Sequence, residues 1–204
     1  MSRRLLLATR ARHKVAELNE LLDLTDVTLV TPDEVGIEGE PVEDAETFEE
    51  NAAIKARYYA ERSGLPTLAD DSGLEVDALD GRPGIYTRRY AGDDPTDGEN
   101  NTKLLGELDG LPAEQRGARY QCVLAFIDPT SGGKPVFRAG AFEGRIATGP
   151  RGDGGFGYDP IFEPESEAPG ARTVGQMSAD EKHALSHRGK AARAMACYLR
   201  GEGW

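Results

Sequence analysis

Ala69-Asp70-Asp71-Ser72-Gly73-Leu74-Glu75-Val76-Asp77 sets two carboxylates side by side after a short apolar stretch, Thr67-Leu68-Ala69. Adjacent carboxylates repel unless a cation lies between them or one of them keeps its proton. A hard divalent ion such as Mg2+ takes oxygen ligands of this kind, usually one or two carboxylates completed by substrate phosphates. Ser72-Gly73 reads as a tight turn after the acids, and Leu74, Val76 and Ala78 alternate as in a half-buried strand. On its own such a pair reads first as a solvated acidic turn. Other stretches of the chain give it company.

Thr9-Arg10-Ala11-Arg12-His13-Lys14 follows the apolar run Leu5 to Ala8 and leads into a helical pattern, Val15, Leu18 and Leu22. A strand, a basic loop and a helix start in series suit an anion, because free N–H groups and the helix dipole favour negative charge there. The loop lacks the glycines and the Gly-Lys-Ser/Thr ending of a P-loop. Asn51 and Lys55 lie four apart on a second helical stretch and so share a face that could point at a phosphate. Gly152, Gly154 and Gly157 match G-x-G-x-x-G formally, but Tyr158-Asp159-Pro160-Ile161-Phe162 leads into an extended segment and not a helix. Glycines there would let the backbone approach a ligand, with Phe156 as a stacking platform for a base. Lys182 lies on a short helix that Ser186-His187-Arg188 breaks, and the His187-Arg188 pair taken alone reads as surface.

Elements to carry these residues are legible. Leu5 to Ala8 and Val27 to Val30 read as strands. Asp33 to Asp44 is acidic and turn-rich. Thr47 with Glu50 forms a capping box for a helix that Gly64 and Pro66 stop. Asp80-Gly81 and Pro83-Gly84 mark turns, and Asp94 to Leu108 is a loop and helix with Leu104, Leu105 and Leu108 inward. Arg119 to Ile127 and Val136 to Ile146 read as a long hairpin across Ser131-Gly132-Gly133. Ser178 with Glu181 is a second capping box, and a last helix buries Ala192, Met195, Ala196 and Leu199.

The length of 204 residues suits one domain, or one with two lobes. There are 36 acidic and 24 basic residues, a net charge of -12, which argues against a nucleic-acid binder. Cys122 and Cys197, far apart in apolar surroundings, read as reduced core thiols of a cytosolic protein. No run approaches membrane-spanning length, and Leu5 to Ala8 is too short for a signal peptide core.

As a set, in order and spacing, the motifs resemble the inosine triphosphate pyrophosphatase family of pool-cleaning enzymes (the Ham1 type). The carrying residues are Leu7-Ala8-Thr9 with Lys14, Glu43, Thr47-Phe48 and Glu50-Asn51-Ala52, Lys55-Ala56, and Ala69 to Leu74. They continue with Pro83-Gly84-Ile85-Tyr86, Gly154 to Pro160, Glu181-Lys182 and Ser186-His187-Arg188-Gly189. The resemblance spans nearly the whole chain, residues 1–204 as a single ITPase-like domain. It implies an α/β fold of the Ham1/Maf type: an elongated mixed sheet with flanking helices, its two lobes around a central active-site cleft.

The resemblance further implies cleavage of ITP, dITP and XTP to the monophosphate and pyrophosphate with Mg2+, by a cytoplasmic homodimer. Glu43, Asp70 and Asp71 would be metal ligands, with Asp71 also the general base. Thr9 to Lys14, Asn51 and Lys55 would meet the phosphate side of the substrate, and Ser72 would touch substrate. Phe156, Gly157, Tyr158, Asp159, Lys182, His187 and Arg188 would form the nucleobase end, where Arg188 and His187 can donate to a 6-keto oxygen. Ala11 departs from the family, which usually has Asn there, and Arg10 or Arg12 is left to compensate. Glu40 and Glu46 are alternatives to Glu43. A Maf-type pyrophosphatase and a non-catalytic nucleotide-binding module are the other readings.

Overall fold

The computed structural model describes residues 3–204. The strands β1 (Arg3–Leu7), β2 (Val27–Val30), β3 (Thr67–Val76), β4 (Gly117–Ile127), β5 (Val136–Ile146) and β6 (Phe162–Pro164) form one sheet. Its order is β2-β1-β3-β4-β5-β6. β1 runs parallel to β2 and to β3, and β5 is antiparallel to β6, so the sheet is mixed, as expected. Parallel neighbours need crossovers. These are the helices α1 (Arg12–Leu22), between β1 and β2, and α2 (Phe48–Ser63), between β2 and β3. Leu5, Leu6 and Leu7 are each 0% exposed, which accounts for their unbroken apolar run: a strand covered on both faces has no polar side to present.

The remaining helices are α3 (Asp97–Glu107), α4 (Ala179–Leu185) and α5 (His187–Gly201). The Ser178–Glu181 capping box forms in full at α4. At α2, Thr47 accepts from the Glu50 N–H as expected, and the Glu50 carboxylate takes the Thr47 hydroxyl. A full box, Thr96 with Glu99, also opens α3, and its Ser/Thr-x-x-Glu signature stands in the sequence.

The chain divides into two compact units. The first takes the chain up to Asp71, Cys122–Gly140 and Arg188–Trp204. Its core joins Leu5 and Leu7 of β1, Leu18 and Leu22 of α1, Leu68, Cys122, Leu124 and Phe126, and the expected inner face of α5, Ala192, Met195, Ala196 and Leu199. The second takes Ser72–Gln121 and Ala141–His187. Its core gathers Leu74, Val76, Leu104, Leu108, Tyr120, Phe142, Tyr158 and Phe162.

Cys122 lies in the first core at 0% exposure, and burial pushes its thiol up to about 12. Cys197 is exposed. Alkylation of the native protein at pH 8 is therefore expected to modify Cys197 and spare Cys122, with both reacting after denaturation, as read by mass spectrometry. Prompt native labelling of Cys122 would mean that this part of β4 is not closed in the core.

One local expectation fails. Asp70-Asp71-Ser72-Gly73 is not a turn: β3 runs unbroken from Thr67 to Val76. Successive side chains on a strand point to opposite faces, so the two carboxylates diverge. Neighbouring strands hold the Ser-Gly pair extended, where its local preference alone would bend.

Candidate active site

The strand alternation gives Asp70 and Asp71 different surroundings. Asp70 is 1% exposed. Lys14 Nζ, from the first turn of α1, lies 3.0 Å from Asp70 Oδ2, and Arg188 Nη2, from the start of α5, lies 3.3 Å from the same oxygen. Arg188 is itself 3% exposed and gives Nη1 to Glu17 Oε2 at 2.5 Å. Burial alone would raise the Asp70 pKa. Lys14, Arg188 and Lys55 outweigh it and hold this carboxyl well below its ordinary range.

Asp71 meets its nearest cation from farther away. Lys55 Nζ, from α2, lies 2.7 Å from Glu43 Oε2 and 4.0 Å from Asp71 Oδ1, and donates to the Asp70 carbonyl at 3.0 Å. Burial raises the Asp71 carboxyl to about 6 against the pull of Lys55, with Glu43 and Asp70 adding repulsion. Lys55 loses charge stability to burial but more than recovers it from Asp70, Glu43 and Asp71, so its pKa lies above the ordinary value. The first unit thus holds Lys14, Lys55 and Arg188 around Glu43, Asp70 and Asp71.

The approach loops are built by residues expected to bind substrate. Arg10 turns away to Asp33 Oδ1 at 2.8 Å, the Ile37 and Gly39 carbonyls, Glu40 and the Tyr59 hydroxyl. It pins the 33–40 loop and leaves exposed Arg12 as the arginine with donors to offer beside Ala11. Asn51 is 3% exposed and closes both ways on Ala45, whose N–H it accepts at 3.1 Å and whose carbonyl it meets at 3.4 Å. It fixes the segment that carries Glu43. Thr9 Oγ1 accepts the Ala11 N–H at 3.2 Å, which shapes the turn into α1. The N-cap residue, Ala11, has no side-chain cap to offer, and the first turn carries no acid.

The second unit holds the aromatic and glycine segment. Asp159, 2% exposed, accepts Lys182 Nζ at 2.6 Å and the Phe156 N–H at 2.9 Å. The Lys182 ammonium lies 3.8 Å from the Phe156 ring centre, a cation–π contact. His187, 6% exposed, stacks on Tyr120 at 4.9 Å between ring centres. Tyr158 is buried and gives its hydroxyl to the Thr87 carbonyl at 2.8 Å, so it anchors the segment.

The sequence model of the Ham1 family matches residues 5–198. This chain belongs to the Ham1 family. A dITP/XTP pyrophosphatase of Nitratidesulfovibrio vulgaris is 50% identical over 198 residues, which cover 94% of this chain and 93% of the relative. One of Geobacter sulfurreducens is 44% identical, with 98% and 97% covered. The solved structure of a HAM1 protein from Coxiella burnetii superposes with a TM-score of 0.89 at 39% identity, covering 98% and 99%.

Within this Ham1 fold, the partners of Arg188 come from the first unit. Arg188 was expected at a nucleobase; its buried guanidinium is engaged by Asp70 and Glu17 in the first unit. The reason is charge. Asp70 is fully buried, and a second cation offsets its desolvation. Ser72 follows Asp71 directly in β3, and His13 stands beside Lys14 at the start of α1. The sequence reading missed Glu17, which shares an α1 face with Lys14, and Asp97 and Asn101 of α3. Each has a helical-spacing signal but no motif of its own.

Among the described residues, no group of three His, Cys, Asp or Glu is gathered to hold a metal. Asp70 is taken up by two cations. Glu43 and Asp71 both turn to one ammonium, Lys55. Two carboxylates converging on a cation suit a hard divalent ion that keeps waters and substrate phosphates as its other ligands.

Proposed function

We propose that this protein hydrolyses non-standard purine nucleoside triphosphates, ITP, dITP and XTP, to the monophosphate and pyrophosphate. The observation that carries this is the set of Lys14, Lys55 and Arg188 around Glu43, Asp70 and Asp71, in a chain related over nearly its full length to dITP/XTP pyrophosphatases. Cleaving a phosphoanhydride asks the protein for placement and charge stabilisation more than covalent chemistry. A water oxygen bonds to the α-phosphorus, the bond to the bridging oxygen breaks, and pyrophosphate leaves. Asp71 takes the water's proton and releases it to solvent, as a carboxylate within reach of the water can.

Lys14, the uncapped start of α1 and exposed Arg12 face the triphosphate charge, and Lys55 orients Glu43 and Asp71. Asp70 stays ionised and fixes Lys14 and Arg188. Mg2+ held by Glu43 and Asp71 would neutralise phosphate charge and acidify a bound water. In the second unit, Phe156 offers a ring face to the purine, and Lys182 and His187 offer donors to its polar edge. The working form is a homodimer, which the family resemblance supports, and the two free thiols suit a reducing cytoplasm.

The test is a panel of ITP, XTP, dITP, GTP and ATP with Mg2+, with pyrophosphate and nucleotide products resolved by chromatography. IMP with pyrophosphate from ITP, and much slower turnover of ATP and GTP, is the expected result. Orthophosphate with IDP, or binding without product, would overturn it.

A further inference from the structure

α3 opens at Asp97 and carries Asn101 four residues on, on the same face. Asp97 Oδ2 accepts the Gly157 N–H at 2.7 Å, and Asn101 Nδ2 donates to the Gly157 carbonyl at 3.1 Å. Both polar backbone groups of one residue are held by one helix face. Gly157 has φ +61°, in the left-handed region that glycine enters without strain. A side chain there would meet open space, so the backbone angle and not crowding calls for glycine.

These bonds bear on the neighbour. The peptide that enters Phe156 is fixed through its N–H by Asp159 Oδ2 at 2.9 Å. The peptide that leaves it carries the Gly157 N–H and is fixed by Asp97. Both peptides flanking the aromatic are therefore pinned by carboxylates. Asn101 pins the next one through the Gly157 carbonyl.

Asn101 is placed there at a disadvantage. It is 9% exposed, and its Oδ1 has no hydrogen-bond partner. Turning the amide over would set Oδ1 against the Gly157 carbonyl, so the orientation is fixed by that one bond. Leucine would suit a buried helix position better, which leaves the hold on Gly157 as the reason for an amide.

We propose that Asp97 and Asn101 are positioning residues that set the Phe156 ring against a purine base. The proposal rests on the reading of Phe156 as the base platform. The test uses Asp97→Ala, Asp97→Asn, Asn101→Leu and Phe156→Ala in the full chain with Mg2+. It records kcat and KM for ITP, Tm, and amide hydrogen exchange of residues 154–159. Asp97→Ala and Asn101→Leu are each expected to raise KM roughly three- to tenfold, as for loss of one hydrogen bond, with kcat nearly unchanged and exchange faster. Asp97→Asn, whose Oδ1 can still accept the Gly157 N–H, recovers most of the affinity. Asn101→Leu keeps or raises Tm, which a merely structural residue would not do. If Phe156→Ala leaves KM unchanged, the platform reading fails and the proposal with it. If Phe156→Ala raises KM while the two α3 variants do not, the positioning role alone is overturned. A drop in Tm with kcat falling alongside in both α3 variants also overturns it.

Discussion

Asp71→Asn is expected to cut pyrophosphate release from ITP by about 10²–10⁴-fold, the usual cost of losing a general base, while the fold survives. The second half of that expectation follows from the acid's environment. Asp71 has a folded-state pKa of about 6, raised first by burial, above an unfolded value of about 3.9. Folding therefore favours the protonated form. The stability contributed by this group is fully present below the unfolded value and is lost as pH rises through about 6. At pH 7 a neutral amide removes a buried charge, so without divalent ion the Tm of the variant should equal or exceed that of the parent. Activity and Tm measured on one preparation then separate chemistry from folding. Near-native kcat would remove Asp71 from the reaction.

Arg188→Ala should act through stability and through Asp70. Removing one partner of a buried ion pair costs about 3–5 kcal/mol, and because Lys14 stays on Asp70 the lower end, about 3 kcal/mol, is the expectation. Asp70 has a folded pKa below its unfolded value. Its contribution is present above the unfolded value of about 3.9 and is lost as pH falls through the folded one. With Arg188 gone the folded pKa rises, so acid unfolding should begin at higher pH than in the parent. Denaturant titrations across pH 3–7 read both effects. Hydrolysis of ITP and of ATP should fall by the same factor, since this guanidinium is turned to carboxylates. A selective change in the ratio of the two kcat/KM values would return Arg188 to the nucleobase.

Much of this was legible because it is local or ordered along the chain. The Thr47 cap of α2, the capping box of α4, the buried run of β1 and the inner face of α5 rest on spacing within a few residues. The site residues came from motif order. What the sequence could not provide was partnership at a distance. Asp70 and Arg188 are 118 positions apart, and no periodicity links them. Asn51 illustrates the converse: its spacing to Lys55 was read correctly as one helix face, yet its amide closes on Ala45. Asp70 to Gly73 misled because Ser-Gly favours a turn locally, and the pairing that overrides this comes from strands elsewhere in the chain.

The unbroken run of β3 has a consequence beyond geometry. Two identical side chains, one peptide bond apart, become acids of opposite character. Asp70 lies on an even step of the pleat, where Lys14 and Arg188 hold its carboxyl low; Asp71 lies on the odd step, where burial raises its carboxyl. No difference in residue type encodes this. Parity along the strand does, so the sequence specifies two chemical functions with one letter written twice.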